Sequence, residues 1–408
     1  MLEVFHQTPQ WAVDAQTASR DGCDSSPVSM PRDLRDASNF TAWLTQRFDG
    51  SVGAYEPWNE GNADGFGGQT TDQRASYQKA AFLGFKGHHA SSTTGEVEIT
   101  APWVCNNVLA GAGDNTTTEI TEKNGLFPYM QSYNIHTYDP VADYESEFAA
   151  ARRLVRRSPS TYSHQNIIED NNIVPLWLTE CGIHLPASTP SPWSDMTPAD
   201  DLRQAAFIAP SFAAAQFAGV EKHFFFVLSN YLENGLQYGL IRHDRSPRPG
   251  YSALAAVGYF FVGSTSIGRM RDLLTTSPAV AYAMAARPGG GEAKDVVVLY
   301  CPVSGQQAQA SSCATTPALL SANVQAAASV YDMLGRQLLK PTPVPTNVSV
   351  TAPVFVVLPS GFVSTYALHL ISLSFLPLRF QRMLSMEREA GRARERERAH
   401  DRDSYCSH

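Results

Sequence analysis

Basic residues are scarce in this sequence relative to acidic ones. The 408 residues include 31 Lys and Arg against 39 Asp and Glu, which gives a formal net charge of −8. A nucleic-acid surface needs clustered Lys and Arg to neutralise phosphates, and no basic stripe interleaved with aromatic residues occurs here. The composition therefore predicts no nucleic-acid partner.

Metal-binding patterns are also missing. The six cysteines form no CxxC pair and have no histidine at metal-ligand spacing, and the sequence contains no HxH pair. We therefore expect neither a metal ion nor an organic cofactor. Cys301 and Cys313 flank a polar loop and could pair as a disulfide.

Long apolar runs are absent as well. The segment YALHLISLSFLPL is too short and too polar to cross a bilayer, so we expect no membrane insertion. The opening residues, MLEVFHQTPQWAV, lack the basic and apolar regions of a signal peptide. Three glycosylation triplets, at Asn39, Asn115 and Asn347, favour secretion only slightly. Secretion, or delivery to a lysosome-like compartment, is expected only if the full gene encodes a signal.

The sequence does contain a regular alternation of strand-like and helix-like segments over residues 1–263. The six predicted strands are LEVFHQTP, SVGAYEP, EVEITAPW, YNIHTY, VPLWLTECG and KHFFFVLSN. Nearly continuous apolar strands that alternate with helices indicate a parallel sheet covered on both faces. We therefore predict an α/β fold of the (β/α)8, or TIM-barrel, type.

The composition changes after this region. Short β-rich runs separated by Gly, Pro and Ser predict a small antiparallel sheet or β-sandwich over residues 264–372, packed against the barrel. Residues 373–408 form a low-complexity tail of mixed charge with too few apolar residues for a core. We assign this tail no function.

Polar residues cluster where the predicted strands end. The stretch YEPWNEGN places Glu56 and Glu60 between a strand and a glycine-rich loop, and LWLTECG places Glu180 after an apolar run. His136 and Tyr138 are two residues apart and share one face of their strand. Because the carboxyl ends of barrel strands open at one mouth, we expect Glu60 and Glu180 to meet there.

Several of these residues also have a simpler structural explanation. Asn59 could cap the loop, His136 could be a hydrogen-bonded core histidine, and Tyr138 could pack at the top of the barrel. Glu180 has the weakest structural explanation, since an unpaired carboxylate on a buried strand is costly. We interpret Glu56 as a supporting residue or a salt-bridge partner.

At these residues the chain resembles the retaining glycoside hydrolases of clan A. Their barrels carry Asn-Glu at the end of the fourth strand and Glu at the end of the seventh, and WNE and TECG match these signatures. HTY is similar to their sixth strand, and SPRPGYSALAAV to the start of their last helix. The resemblance covers about residues 2–263, and several families of the clan add a β-sandwich after the barrel.

This resemblance implies hydrolysis of O-glycosidic bonds in a carbohydrate substrate by a two-glutamate double displacement. Glu60 would be the general acid/base and Glu180 the nucleophile, with Tyr138 donating a hydrogen bond to it. Asn59 would bind the hydroxyl next to the anomeric carbon. His136 would bind substrate or orient a carboxylate.

Tryptophans lie at or just beyond several predicted strand ends. Trp11, Trp58, Trp103 and Trp193 occupy such positions, and their flat rings could stack on sugars. We place Trp11, Trp58 and Trp103 among the expected substrate-binding residues. The alternative is that such large rings pack at the barrel rim without touching a ligand.

The sequence departs from the clan pattern in two respects. The Asn-Glu strand is the second of the six predicted strands instead of the fourth, so the first two barrel strands are expected to be missing. FFFVLSN stands where the clan frequently has a tryptophan. A second hypothesis is therefore a truncated or inactive glycosidase-like protein that only binds carbohydrate. The sequence favours the enzyme because both glutamates are present.

Overall fold

The computed structural model describes the greater part of the chain, in the ranges 2–4, 8–13, 30–48, 51–61, 70–86, 89–90, 97–98, 104–105, 123–126, 129–157, 175–188, 195–270, 279–301, 318–319, 322–341, 347–348 and 352–363. Within these ranges helices and strands alternate from residue 34 to residue 260. Beyond residue 264 the described elements are mostly strands. The fold is therefore of mixed α/β type, with parallel and antiparallel sheets.

The strands of the described residues are, in chain order, β1 (Leu2–Val4), β2 (Ala54–Glu56), β3 (His89–Ala90), β4 (Val97–Glu98), β5 (Val104–Cys105), β6 (Tyr133–Thr137), β7 (Leu176–Cys181), β8 (Leu185–Pro186), β9 (Val220–Phe225), β10 (Leu232–Glu233), β11 (Leu236–Gln237), β12 (Thr265–Arg269), β13 (Val280–Ala286), β14 (Lys294–Tyr300), β15 (Ala318–Leu319), β16 (Ser329–Asp332), β17 (Gln337–Leu339), β18 (Asn347–Val348) and β19 (Val354–Pro359). The α-helices are α1 (Leu34–Arg47), α2 (Thr71–Phe85), α3 (Tyr144–Arg157), α4 (Pro198–Phe217), α5 (Pro249–Phe260) and α6 (Ala322–Ala327). Short 3-10 helices lie at Gln10–Ala12, Val141–Asp143 and Pro288–Gly290.

Helix starts follow capping residues in the sequence. Thr70 and Gln73 form a capping box at the start of α2, in which each side chain bonds the other residue's backbone N–H. Thr197 caps α4 just before a proline at its first position. These local signals explain where α2 and α4 begin.

Two parallel sheets carry the strand ends that matter for function. β1, β2 and β5 form one sheet, and β6, β7 and β9 form the other. Within the described residues, β1 and β9 each pair along one side only. Closure of the two sheets into one barrel, and the absence of two strands from it, stay predictions.

One predicted strand is described only in part. Of residues 96–103, the structure describes Val97–Glu98, which pair antiparallel with β3, and the strand parallel to β2 is β5. The residues between β4 and β5 lie outside the described ranges. The apolar pattern indicated a strand in this region but did not show where the sheet pairing begins.

Two apolar cores support the parallel sheets. In the first, α1 and α2 pack against β2, and Tyr55 stacks on Phe85 with ring centroids 4.5 Å apart. In the second, α3, α4 and α5 pack against β6 and β7.

The antiparallel sheet has the strand order β12-β13-β14-β19-β16-β17. Side chains of β13 alternate between its faces, so that Tyr282 and Met284 join the core of α4 and α5 while Ala281 and Ala283 join a separate core with residues of α6. Phe355 of β19 stacks on Phe260 of α5 at 4.4 Å. The two predicted units at residues 1–263 and 264–372 therefore share one core, while their division into domains and the sandwich form stay predictions.

Two further expectations can be placed on the structure. In the part of the chain that the structure describes, no helix is both long and apolar enough to cross a membrane. Cys301 is disulfide-bonded, whereas Cys313 lies outside the described residues.

The shared core gives a prediction for stability. Phe355→Ala removes a fully buried ring that stacks on Phe260, so the free energy of unfolding should fall by roughly 3–5 kcal/mol. Urea unfolding followed by tryptophan fluorescence and by circular dichroism should show one shared transition that moves to lower urea. Leu338→Ala, at a side chain 53% exposed, should change stability by less than about 0.5 kcal/mol. A separate transition of the antiparallel sheet, with the rest unmoved, would contradict the shared core.

Candidate active site

Glu60 lies at the end of the loop that follows β2. Its backbone has a φ of 45°, in the left-handed region that residues with a side chain seldom adopt. The next residue, Gly61, accepts a hydrogen bond from the buried guanidinium of Arg74 on α2. This contact holds the loop against α2, and the Glu60 side chain remains 20% exposed.

His136 and Glu180 lie on neighbouring parallel strands. They are paired in the register of β6 and β7, just after an irregularity between Ile135 and His136. Gly182 follows Glu180 closely and lets the end of β7 approach β9, because a Cβ there would lie 2.5 Å from the carbonyl oxygen of Phe226. The sheet thus holds His136 and Glu180 side by side at its carboxyl end.

The imidazole of His136 joins the two parallel sheets. Its Nδ1 lies 2.9 Å from Oε1 of Glu60 and 3.5 Å from Oε2 of Glu180. One carboxylate oxygen of each glutamate and a ring nitrogen of His136 all lie within 4.8 Å of one another. The expectation that Glu60 and Glu180 would meet at the strand ends therefore agrees with the structure.

Tyr138 contacts Glu180 directly. Its hydroxyl donates a hydrogen bond to Oε1 of Glu180. Burial raises the pKa of Tyr138 far above its usual range, and the Glu180 charge adds to this rise, so the hydroxyl stays protonated as a donor. A hydrogen bond between these two residues was expected from the sequence.

The charges of the site are strongly coupled. Burial raises the pKa of Glu180, and the charges of Glu60 and Glu56 add to the rise, while His136 and Tyr138 oppose it. For His136 burial alone would lower the pKa, but the contacts with Glu56 and Glu60 raise it to about 9. The surrounding carboxylates therefore favour the protonated imidazole.

Glu56 is the third carboxylate around His136. It is fully buried at the end of β2, and its Oε1 lies 3.4 Å from Nε2 of His136. This places Glu56 on the side of the ring opposite Glu60. The sequence interpretation of Glu56 as a salt-bridge partner agrees with this contact.

The donor set of Glu60, His136 and Glu180 also has the size of a cation site, since its atoms lie within 4.8 Å of one another. However, Nδ1 of His136 and Oε1 of Glu60 are at hydrogen-bond distance, so they partner each other directly. The arrangement fits a proton-sharing cluster better than a metal centre.

Tyr138 is part of a group of contacting aromatic rings, which we call the aromatic wall. We define it by the rings of Tyr138, His184, Phe226, Tyr231 and Tyr238, whose contacting pairs have centroids 5.3 to 6.5 Å apart. The charge of Glu180 contributes to the raised pKa of both Tyr231 and Tyr238, after the larger effect of burial. The wall therefore borders the carboxylates on the Glu180 side.

Most of this wall was not predicted from the sequence. Tyr231 and Tyr238 flank the hairpin β10–β11, and the turn between its strands is Asn234-Gly235, both with positive φ. An Asn-Gly pair between short apolar strands is a strong hairpin signal. This signal in YLENGLQY could have predicted that the two tyrosines lie side by side.

The remaining expected binding residues lie in different surroundings. Asn59 is half-buried beside Glu60. Trp58 is 1% exposed and packs edge-on against Tyr77, so its ring contacts the core of α1 and α2. Trp11 is 74% exposed on the first 3-10 helix, and Trp103 lies outside the described residues.

Several solved glycoside hydrolases are similar to this chain. A family 39 glycoside hydrolase from Bacteroides cellulosilyticus WH2 aligns over 81% of this chain with 14% identity and a TM-score of 0.58. This chain spans 63% of the length of that enzyme. Two weaker matches are a GH51 arabinofuranosidase from Xanthomonas axonopodis pv. citri, with 12% identity, and an alpha-L-arabinofuranosidase from Thermotoga maritima, with 11% identity. Each alignment covers 80% of this chain and 73% of the other protein, with a TM-score of 0.45.

At these identities the likeness concerns the fold alone. No protein-family model and no curated protein matches the sequence. The family 39 enzyme supports the α/β architecture, and the weaker likenesses carry no argument.

The contact between Tyr138 and Glu180 gives a prediction. Tyr138→Phe removes a hydrogen bond that favours ionised Glu180, so the pKa of Glu180 should rise further. Carbon-13 NMR of labelled glutamate carboxyls, assigned with Glu180→Gln, should show its titration moving to higher pH. Tyr251→Phe, at a ring 44% exposed on α5, should leave the titration in place. An unchanged Glu180 titration in Tyr138→Phe would mean that this hydrogen bond is absent in solution.

Proposed function

We propose that the chain is a retaining glycoside hydrolase in which Glu60 is the general acid/base and Glu180 the nucleophile. The observation that carries this proposal is the approach of the two carboxylates, with oxygens within 4.8 Å of each other at the ends of parallel strands. Retaining glycosidases hold their carboxyl groups about 5–5.5 Å apart, whereas inverting ones need about 6.5–9.5 Å to admit a water. The similar fold of a family 39 glycoside hydrolase supports the same conclusion.

The reaction proceeds in two displacements. Glu180 attacks the anomeric carbon while Glu60 protonates the leaving oxygen, which forms a covalent glycosyl-enzyme. Glu60 then takes a proton from the water that hydrolyses this intermediate. Tyr138 and His136 support Glu180 as a carboxylate by lowering its pKa against the effect of burial.

The substrate is a carbohydrate, bound between the carboxylates and the aromatic wall. Asn59, half-buried beside Glu60, is suited to bind the hydroxyl next to the anomeric carbon. Tyr231 keeps 38% of its surface exposed, which leaves a ring face for the apolar face of a sugar. Trp11, with its exposed ring, is a candidate for a more distant contact.

The two carboxylates can be tested separately with aryl glycosides of both anomeric configurations. Glu180→Ala should abolish turnover, and azide should partly restore it with inverted product, because azide replaces the missing nucleophile. Glu60→Ala should still react with 2,4-dinitrophenyl glycosides, whose leaving group needs no proton, but lose at least about 10²-fold on phenyl glycosides.

The matched control is Glu292→Ala, which removes a carboxylate that is 87% exposed, and it should behave like the wild type. Product configuration and rates are measured by NMR and absorbance. A Glu180→Ala variant with wild-type turnover would contradict the mechanism. A wild-type chain that binds sugars without hydrolysing any of the glycosides would favour the carbohydrate-binding alternative.

The aromatic wall can be tested through binding. Tyr231→Ala should raise KM about three- to tenfold with a smaller change in kcat, because stacking on a sugar is worth about 0.5–1.5 kcal/mol and is present before and during reaction. Tyr251→Ala removes a similarly exposed tyrosine outside the wall and should leave KM unchanged. Equal effects of the two substitutions on KM would show that the aromatic wall is not part of the binding site.

A further inference from the structure

Three carboxylates surround one imidazole ring in this site, and this limits where protons can be. His136 faces Glu56 through Nε2 at 3.4 Å, and it faces Glu60 and Glu180 through Nδ1 at 2.9 and 3.5 Å. A neutral imidazole carries one N–H, so it can donate toward one side only. The other ring nitrogen would then have no proton, and its lone pair would be repelled by the carboxylate oxygen that it faces. This repulsion is avoided only if that carboxyl group carries a proton.

Two proton arrangements satisfy these contacts. In one, His136 is an imidazolium that forms an ion pair with Glu56 and donates a hydrogen bond to Glu60. In the other, neutral His136 keeps its N–H on Nε2, facing Glu56, and protonated Glu60 donates to Nδ1. They differ by one proton shifted along the 2.9 Å contact between Nδ1 and Oε1 of Glu60.

We propose that Glu56 is a positioning residue that keeps a proton on Nε2 of His136, so that Nδ1 stores the proton that Glu60 delivers to the leaving oxygen. This inference rests on the proposed glycosidase function. Glu56 is suited to the task because it is fully buried and its nearest charged partner among the described contacts is His136. The short loop from Glu56 to Glu60 keeps both carboxylates on the same ring.

The proton balance closes over one catalytic cycle. During the first displacement the proton passes from Nδ1 to Oε1 of Glu60 and on to the glycosidic oxygen, as the bond from that oxygen to the anomeric carbon breaks. His136 is then neutral and keeps its proton on Nε2, facing the Glu56 carboxylate at 3.4 Å. During the second displacement Glu60 takes a proton from water and returns it to Nδ1, which restores the starting state.

The protonation of Nδ1 of His136, which we call the proton store, depends on pH. Nδ1 is protonated below the pKa of His136 and loses the proton as pH rises through that value, which the contacts with Glu56 and Glu60 raise to about 9 despite the opposing effect of burial. The charged groups that face His136 are Glu56, Glu60 and Glu180. A further charged group, the guanidinium of Arg74, donates a hydrogen bond to the carbonyl of Gly61, the residue after Glu60. Activity that needs the stored proton should therefore be lost on the alkaline side.

Glu56→Gln tests the store while keeping the shape of the side chain. An amide can accept from or donate to Nε2, so it neither fixes the proton there nor stabilises the imidazolium. We expect the alkaline limb of kcat/KM to move to lower pH for phenyl glycosides and to stay in place for 2,4-dinitrophenyl glycosides. At pH 8.5 the loss on the phenyl substrate should be on the order of 10²-fold, the lower end of what a general acid contributes.

Two further variants separate this role from a structural one. Glu56→Asp keeps the charge and should leave the alkaline limb nearer to the wild-type position than Glu56→Gln does. Asp295→Asn removes another buried carboxylate, which accepts hydrogen bonds from the backbone of Gly361 and Val363 in the antiparallel region. Asp295→Asn should lower the free energy of unfolding and leave both the acid and the alkaline limb of the kcat/KM profile in place.

An NMR titration gives a readout that does not depend on turnover. The Cε1 signal of His136, assigned with His136→Asn among the 11 histidines, should titrate in the wild type well above pH 7 and at lower pH in Glu56→Gln. A wild-type titration near the ordinary histidine value of about 6.5 would overturn the proposed proton storage on Nδ1, even if Glu56→Gln does not fold.

The remaining outcomes are also distinct. If wild type is active and Glu56→Gln slows both classes of glycoside equally at all pH values, Glu56 is structural and the inference fails. If wild type hydrolyses neither glycoside, the proposed function fails, and the proton store fails with it.

Discussion

Like charges at close range are the constraint on which this site depends. Glu56, Glu60 and Glu180 all approach His136 within 3.5 Å, and burial makes each unshielded carboxylate costly. An imidazolium in the middle would offset part of that cost and let two carboxylates lie as close as the proposed double displacement requires. The rest of the fold holds these four groups in register against their repulsion.

The backbone contributes to this placement at specific points. Parallel pairing of β6 with β7 sets His136 beside Glu180, and the loop after β2 turns through a left-handed residue to bring Glu60 across to the same ring. Gly182 permits the close approach of β7 and β9 beneath the aromatic wall. Left-handed geometry at a residue with a side chain typically costs about 1–3 kcal/mol, so the surrounding contacts must favour it.

Much of the architecture was predictable because its signals are local. Apolar periodicity located the helices and most strands, and the polar residues after SVGAY and VPLWL indicated Glu60 and Glu180. The exact pairing of β5 was not predictable, since the choice between Val97–Glu98 and Val104–Cys105 depends on partners distant in sequence. The contact of Glu56 with His136, 80 residues away in the sequence, could likewise not be predicted from apolar periodicity. Trp11 is exposed and Trp58 is buried because of tertiary packing, which no local tryptophan motif predicts.

The core that α4 and α5 share with β13, β14 and β19 has an evolutionary consequence. An appended module that meets its host only through a polar surface can be gained, lost or exchanged by recombination with little effect on the host. Here a crossover near residue 264 would leave Phe260 without Phe355 and expose the apolar backs of two helices. The antiparallel sheet is therefore expected to be inherited together with the helices it covers, and substitutions in β19 should be compensated by substitutions in α5.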